Sequence, residues 1–247
     1  MDQYKSSAEL KAIAKEHMFG RYGTAIAAFL IVGFITGFIT IFSTYFLDTR
    51  TQPGVILNYL ISFVIAVLTG LFSSGTGYFY LKISCSQPVS VGDIFYGFRF
   101  LPNKAVLLQF YVTILIYLAM LPMTALSFII STKPKQTILL LPYSLAMLFY
   151  GIVALILSLV YSQIFFLLHD FPNYSAKELL ITSRRLMKGN KGRYFYLIVS
   201  FIPLMLLSLL SCCIALLWLI PYINATYAEF YLDLMQHMQT AKSDPAA

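Results

Sequence analysis

The sequence predicts an all-α polytopic membrane protein built from three copies of one unit. Charged residues make up 11% of the 247-residue chain and apolar residues 59%, whereas roughly 25% of the residues in a soluble domain are charged. Several apolar runs exceed the ~18 residues needed to cross the ~30 Å hydrocarbon layer of a bilayer. A Ser-x-x-acid step followed by an aliphatic residue begins at Ser6, Ser90 and Ser175. This regular spacing indicates an internal repeat.

Each repeat is predicted to begin with a short amphipathic helix. In a capping box, a hydroxyl and an acid three residues later bond the free amides at a helix start. The three pairs are Ser6 with Glu9, Ser90 with Asp93, and Ser175 with Glu178. The apolar face of the first helix consists of Leu10, Ile13, Ala14 and Met18. We expect these helices to lie in the headgroup plane with the apolar face toward the lipid.

Two membrane-spanning helices are predicted to follow each short helix. The six expected spans are 21–47, 54–82, 104–130, 137–168, 194–210 and 212–236. A single membrane domain, 1–247, then contains the repeat units 6–82, 90–168 and 175–236. Because a repeat with an even number of spans keeps one orientation, we expect the units to surround a pseudo-threefold axis along the membrane normal.

Small residues and prolines predict how the spans pack. Gly33 and Gly37 lie one turn apart in the first span, and the segment 73–77 of the second span contains only Ser, Gly and Thr. Small side chains let two helix backbones approach each other, so we expect close helix contacts at both places. Kinks are expected at Pro203 and Pro221, because proline removes a helical hydrogen bond.

The distribution of Lys and Arg predicts the orientation of the chain. On the six-span assignment, fourteen basic residues lie on the side of the short helices, and three lie on the other side: Arg50, Lys133 and Lys135. Basic residues near span ends are retained in the cytoplasm. We therefore expect a multi-pass membrane protein with cytoplasmic N- and C-termini. The same distribution accounts for the net charge of +7 without a nucleic-acid partner.

The sequence contains no recognisable catalytic or cofactor motif. It has no HExxH, GxSxG, Walker or dinucleotide-binding pattern, which are the motifs that carry common hydrolytic and nucleotide chemistry. Its three histidines include no pair with the i, i+4 spacing of a helical zinc site. We therefore expect a protein that is not an enzyme and has neither a cofactor nor a metal site.

Two groups of residues are candidates for binding. Lys and Arg near an anionic leaflet attract lipid headgroups, and a basic cluster before the fifth span consists of Arg184, Arg185, Lys188, Lys191 and Arg193. Polar side chains at membrane depth are costly unless they are paired or line a pocket. The pocket candidates are Gln163, Tyr222, Asn224 and Glu229. For Glu229, structural pairing, an interfacial position and a hydrated pocket all remain open.

Two hypotheses for function follow from these residues. In the first, a non-enzymatic membrane protein binds lipid, chiefly anionic lipid, or partner proteins through its short-helix side. In the alternative, a small-molecule or ion carrier or channel uses the proline-broken last spans. A polar cavity reaching the middle of the membrane favours the second hypothesis, and a solid apolar core favours the first.

Four motifs, which together span the chain, resemble a known family. They are Ser6-x-x-Glu9-Leu10-Lys11-x-x-Ala14-Lys15, Asp170-x-Pro172, Ser183-x-x-Leu186-Met187-Lys188-Gly189-Asn190-Lys191, and Pro221-Tyr222 followed by Ala228-x-Phe230-Tyr231. The resemblance is to DUF975, a domain-of-unknown-function family of bacterial membrane proteins. It implies six membrane helices and a relation to the membrane domain of some glycerophosphodiester phosphodiesterases, and it implies no activity. Cys212 and Cys213 stand where the resemblance leads us to expect glycine.

The predicted orientation is testable with the cysteines of the chain. Cys85 follows the second span on the predicted cytoplasmic side, whereas Cys212 and Cys213 lie in the last hairpin on the outer side. A membrane-impermeant maleimide added to intact cells is expected to reach Cys212 or Cys213, and to label Cys85 only after permeabilisation. Labelling of Cys85 in intact cells would contradict the orientation.

Overall fold

The structure is a computed structural model that describes residues 4–46, 51–132 and 139–243, and these ranges are helical without a β-strand. The all-α prediction is confirmed. The first half forms α1 (Ser7–Met18), α2 (Tyr22–Phe46), α3 (Gln52–Ser84), a 3₁₀ helix (Val91–Phe95), α4 (Tyr96–Arg99) and α5 (Pro102–Thr132). The second half forms α6 (Leu140–Tyr161), α7 (Ile164–Asp170), α8 (Ala176–Leu186), α9 (Lys191–Val199), α10 (Ile202–Leu210) and α11 (Leu216–Ser243).

The apolar helices are those of a membrane protein. Five helical segments of the described chain are long and apolar enough to cross a bilayer: Tyr22–Ser43, Pro53–Ser84, Pro102–Ile130, Leu140–Asp170 and Lys191–Leu210. The expected sixth span, 212–236, is not among them, because polar residues such as Asn224, Glu229 and Asp233 lower the mean hydropathy of α11. The count of six spans therefore stays a prediction.

The course of α11 nevertheless supports a sixth crossing. After α10 the chain turns, and the Ser211 hydroxyl accepts a hydrogen bond from the Ala215 amide at 3.1 Å. At the far end of α11, Asp233 contacts Arg193 at 2.9 Å, so α11 returns to the end of the bundle at which α9 begins. The loops that carry Arg50, Lys133 and Lys135 lie outside the described residues.

The last two predicted spans each contain a proline, and the helix is interrupted next to only one of them. The span Lys191–Leu210 is interrupted between α9 and α10, and Pro203 stands in the first turn of α10. Pro221, by contrast, lies inside the continuous helix α11. The helix break next to Pro203 agrees with the kink expected there, and the kink at Pro221 stays a prediction.

Capping boxes form at Ser6 and Ser175. Each serine hydroxyl accepts a hydrogen bond at 3.3 Å from the amide of Glu9 or Glu178. In return, the two carboxylates accept the serine amides at 2.6 and 2.7 Å. These hydrogen bonds favour the ionised acids and lower the pKa of Glu9 and of Glu178. The predicted helix starts are confirmed at both positions.

The middle copy of the short helix is less regular. Asp93 accepts the Ser90 amide at 2.8 Å and also binds the Lys82 ammonium at 3.0 Å. The chain then forms the 3₁₀ helix followed by the single turn of α4. A helical segment thus follows each of the three serines, while the superposition of the three units stays a prediction.

The short helices bury their apolar faces on the protein rather than on lipid. Leu10, Ala14 and Met18 of α1 are almost completely buried, as is Leu179 of α8. α1 packs mainly against α11, and α8 packs against α5, α6 and α7. This differs from the expectation that the apolar face lies on the membrane, because the ends of the long helices already cover it. We call the end of the bundle that carries α1, α4 and α8 the short-helix end.

The packed core lies toward the short-helix end. Phe79, near the end of α3, and Phe230 and Tyr231, in the middle of α11, are among the largest fully buried side chains. Farther from that end, large apolar side chains such as Phe34 on α2 and Leu148 on α6 are exposed. In a bilayer, this exposed apolar surface contacts acyl chains, whereas the buried side chains lie toward the short-helix end.

Two glycines bring the middle short helix against α3. A Cβ atom at Gly75 would lie 1.6 Å from the Ile94 carbonyl oxygen, and one at Gly97 would lie 2.1 Å from the Leu71 carbonyl oxygen. The close contact predicted for the segment 73–77 is therefore present. The contact predicted at Gly33 and Gly37 is wrong, because nothing in the described chain lies within 4 Å of a Cβ at either position.

The last hairpin turns through two cysteines in an unusual backbone conformation. Cys212 and Cys213 have φ angles of 50° and 66°, in the left-handed region that glycine adopts without steric cost. This is the turn at which the family resemblance led us to expect glycine. A non-glycine residue in this conformation costs of order 1–2 kcal/mol of stability. The two cysteines therefore make this turn less stable than glycine would.

Replacement of Gly75 or Gly97 by alanine is expected to destabilise the fold, because the new methyl group would overlap a backbone carbonyl. Overpacking costs about 1–3 kcal/mol, and overlap with a helix backbone should lie at the upper end of this range. The unfolding midpoint of the purified protein in detergent measures the effect. Gly33→Ala is the matched control and should be neutral or slightly stabilising. Equal midpoints for all three variants would contradict this packing.

Candidate functional site

The predicted basic cluster divides into an exposed part and an internal part. Arg184, Arg185, Lys188 and Lys191 are exposed. Arg193 is half-buried, and its guanidinium donates to the Asp233 carboxylate and to the Lys5 carbonyl, each at 2.9 Å. The guanidinium also lies over the Tyr4 ring, 4.2 Å from the centroid. Arg193 therefore has intramolecular partners, which differs from its predicted role in binding lipid.

The partner of Arg193 is a buried carboxylate that joins three parts of the chain. The Asp233 side chain has no exposed surface and also accepts the Lys5 backbone amide at 3.3 Å. His237, one turn later, lies 3.8 Å from the same carboxylate. A buried charge is tolerated only when it is paired and hydrogen-bonded. Asp233 thus ties the N-terminal segment and the start of α9 to the end of α11.

Three other cations bond backbone carbonyls at the ends of helices or in the segments that follow them. Lys11 donates to the Ser200 carbonyl at 2.9 Å, and burial lowers the pKa of its ammonium. Two further cations act alike: Arg21 donates to the carbonyls of Ile83 and Ser86 at 3.2 and 3.1 Å, and Lys104 donates to those of Pro172 and Tyr174 at 2.6 and 3.0 Å. The Ser200 and Ile83 carbonyls lie at the ends of α9 and α3, whereas those of Ser86, Pro172 and Tyr174 lie in the connecting segments after α3 and α7. No local pattern in the sequence indicates these contacts.

Glu229 is paired rather than placed in a pocket. Its carboxylate lies 2.8 Å from Nδ1 of His17 on α1, and its side chain is only 6% exposed. The pair connects the first and last helices of the described chain. Among the alternatives left open by the sequence, the geometry is that of structural pairing.

The remaining pocket candidates lie in three different surroundings. The Tyr222 hydroxyl donates to the Lys11 carbonyl at 3.1 Å, so it holds α1 against α11. Gln163 is fully buried and donates to the Ser162 hydroxyl at 2.8 Å, while its Oε1 has no partner in the described part of the chain. Asn224 lines a cavity. The four predicted residues therefore do not form one site.

A partly open cavity of about 280 Å³ lies between α2, α3, α7, α9 and α11. Its polar lining includes Thr36, Thr69, Ser73, Thr76, Asn224 and Tyr227. The hydroxyls of Thr36, Thr69 and Ser73 donate to carbonyls of their own helices. Their oxygen lone pairs therefore remain available to accept hydrogen bonds from water or a solute.

This cavity reaches the middle of the membrane-spanning region. Thr69 stands halfway along the candidate span Pro53–Ser84, and Tyr80, near the end of that span, also lines the cavity. At 1.5 Å per residue, the distance along α3 between these two residues is about 16 Å. The tyrosines Tyr80 and Tyr194 lie at its boundary and are buried. Hydropathy patterns alone did not predict this cavity, because its polar residues are spread over several helices.

The described residues contain no group of three or more His, Cys, Asp or Glu side chains placed to hold a metal ion. His169, which precedes the motif Asp170-x-Pro172, packs among the rings of Tyr78, Tyr96 and Phe100. Its Nε2 lies 2.8 Å from the Ser74 carbonyl oxygen. This histidine thereby joins the end of α7 to α3.

Comparison with protein families agrees with the family resemblance of the four sequence motifs that begin at Ser6, Asp170, Ser183 and Pro221. The family model described as "Protein of unknown function (DUF975)" matches residues 1–238. The chain belongs to this family. No curated protein and no solved structure matches the chain. The relation of this DUF975 protein to the membrane domain of glycerophosphodiester phosphodiesterases therefore stays a prediction.

Proposed function

We propose that this DUF975 protein is a non-enzymatic protein of the bacterial plasma membrane that binds anionic lipid at its short-helix end. One observation carries the proposal. Arg184, Arg185, Lys188 and Lys191 are exposed, and none of them has an ion-pair partner among the described residues. Arg193, the fifth member of the predicted cluster, is held by Asp233 and is not included.

The position of these four cations supports binding to lipid headgroups. Lys191 is the first residue of the candidate span Lys191–Leu210, so the cluster lies at the edge of the hydrocarbon layer. Each Lys or Arg near an anionic surface contributes about 1 kcal/mol of attraction. Four such residues give about 4 kcal/mol, or roughly a thousandfold in binding. The proposed orientation, with both termini in the cytoplasm, brings them to the leaflet that carries anionic lipid.

Charge reversal tests the proposal. The triple variant Arg184→Glu, Arg185→Glu, Lys188→Glu is expected to retain much less phosphatidylglycerol, because attraction becomes repulsion. Native mass spectrometry of the purified protein, titrated with phosphatidylglycerol or phosphatidylcholine, measures the lipid bound. The difference between wild type and variant should shrink as salt rises, because the Debye length is only about 10 Å at 0.1 M.

The matched control keeps the charge: Arg184→Lys, Arg185→Lys, Lys188→Arg should bind phosphatidylglycerol almost as wild type does. Unchanged lipid retention in the charge-reversed variant at all salt concentrations would overturn the proposal. In that case an acidic partner protein becomes the better explanation for the exposed cluster.

A second candidate function is a carrier or channel for a small polar molecule, and the partly open cavity favours it. The cavity is rich in hydrogen-bond acceptors, and no Asp, Glu, Lys or Arg of the described chain lines it. It therefore suits a neutral or cationic solute with hydrogen-bond donors. Asn224 and Tyr227, both on the proline-containing helix α11, contribute to its wall.

Cysteine accessibility tests whether the cavity contains water. In a background where Cys85, Cys212 and Cys213 are serine, Thr69→Cys and Ser73→Cys should react with a small hydrophilic thiol reagent. The matched controls are Val64→Cys and Leu68→Cys, because these exposed α3 residues face lipid, where a thiol stays protonated. Only the thiolate reacts, so we expect a difference of roughly tenfold or more. Equally slow reaction at all four positions would argue against a carrier.

A further inference from the structure

A basic cleft opens at the short-helix end beside the exposed cations. It has a volume of about 390 Å³ and lies between the end of α8, the end of α11 and Tyr4. The polar groups that line it belong to Tyr4, Thr182, Arg185, Lys188, Asn190 and His237. Phe171, Leu186 and Leu234 provide apolar surface. The cleft thus combines two cations with apolar walls.

The charge of this cleft is one-sided. Arg185 and Lys188 line it, and no Asp or Glu of the described residues does. The nearby Asp233 is fully buried and already bound by Arg193, so it does not neutralise the two lining cations. Arg184 and Lys191 are also exposed but do not line the cleft. The four cations of the proposed lipid-binding surface therefore divide into two pairs of equal charge.

The walls of the cleft are held in place by contacts among themselves. The rings of Tyr4 and His237 stack with centroids 4.0 Å apart, and His237 Nδ1 lies 2.8 Å from the Asp233 carbonyl oxygen. Asn190 donates to the Leu186 carbonyl at 3.2 Å. A preformed site loses little conformational entropy on binding. Binding of a ligand in this cleft therefore requires little ordering of Tyr4, Asn190 and His237.

The depth of the cleft fits a lipid phosphate. From Leu216, the first residue of α11, to His237, α11 rises by about 32 Å at 1.5 Å per residue. The hydrocarbon layer is about 30 Å thick, so the cleft lies at the level of the headgroups. Lys188 stands only three residues before the candidate span Lys191–Leu210, which gives the same level independently.

We propose that the basic cleft binds the phosphate group of one anionic phospholipid whose acyl chains remain in the bilayer. Arg185 and Lys188 neutralise the phosphate. The Thr182 hydroxyl, which also lines the cleft, donates a hydrogen bond to it. The apolar walls contact the glycerol and the first methylene groups. A zwitterionic headgroup is disfavoured, because its cationic end would approach the same two cations. This inference rests on the proposed function and assigns it a specific site.

Two charge-matched double variants of the full chain test the cleft. Arg185→Gln with Lys188→Gln removes the lining cations, whereas Arg184→Gln with Lys191→Gln removes two cations outside the cleft. Titration with phosphatidylglycerol by native mass spectrometry gives the affinity for the first lipid. General attraction at about 1 kcal/mol per cation predicts roughly thirtyfold weaker binding for either pair. We expect the cleft pair to weaken binding of the first lipid by a further factor of roughly ten. Both pairs are exposed, so the unfolding midpoint should match wild type.

A third variant and a competition experiment complete the test. Thr182→Val changes no charge and should weaken the first lipid severalfold if its hydroxyl binds the phosphate. Glycerol 3-phosphate at millimolar concentration should not displace phosphatidylglycerol. Displacement together with equally tight binding of glycerol 3-phosphate would overturn the assignment to lipid in favour of a soluble phosphate.

The outcomes separate this inference from the proposed function. If both pairs weaken binding equally, the cleft is not a site, while lipid binding by the whole surface still stands. If neither pair weakens binding, both proposals fail. A loss confined to the cleft pair supports both.

Discussion

The Asp233 carboxylate has no exposed surface, and the groups that make this tolerable come from distant parts of the chain. Arg193 contributes the opposite charge, and the Lys5 amide contributes a hydrogen bond. Without them, a buried charge would cost several kcal/mol. This interaction holds the segment before α1 and the first turn of α9 against α11. Two of these segments, the N-terminal segment at Tyr4 and α11, also form walls of the basic cleft, so the shape of the cleft depends on this interaction.

The basic residues of the chain serve two different purposes. Lys11, Arg21 and Lys104 bond carbonyls at helix ends or in the segments that follow them, and Arg193 neutralises a buried acid. Such cations hold the bundle together and are not available to lipid. The exposed cations on and after α8 have no such contacts among the described residues, and they are the ones from which binding is argued. A count of positive charges on one side does not separate these two groups.

Local signals in the sequence predicted the helical class, the helix starts at Ser6 and Ser175, and the close contact of the segment 73–77. These features depend on residues that are close together in the sequence, so a local pattern is enough to predict them. The partners of Arg193 and Glu229 lie 40 and 212 residues away, so no local pattern indicated them. The contact expected at Gly33 and Gly37 failed for the same reason, because small residues allow a close approach without specifying a partner. The cavity was not predicted either, because the residues that line it come from five helices that are far apart in the sequence.

The central claim is that Asp233 couples the N-terminal segment and the start of α9 to α11. Hydrogen–deuterium exchange of wild type and Asp233→Asn in detergent tests it most directly. The account predicts faster exchange in residues 4–10 and in the first turn of α9, as well as around residue 233, because each loses the same partner. Exchange in α4, which packs against α3, should not change. Faster exchange confined to α11, or no change in residues 4–10, would contradict the account.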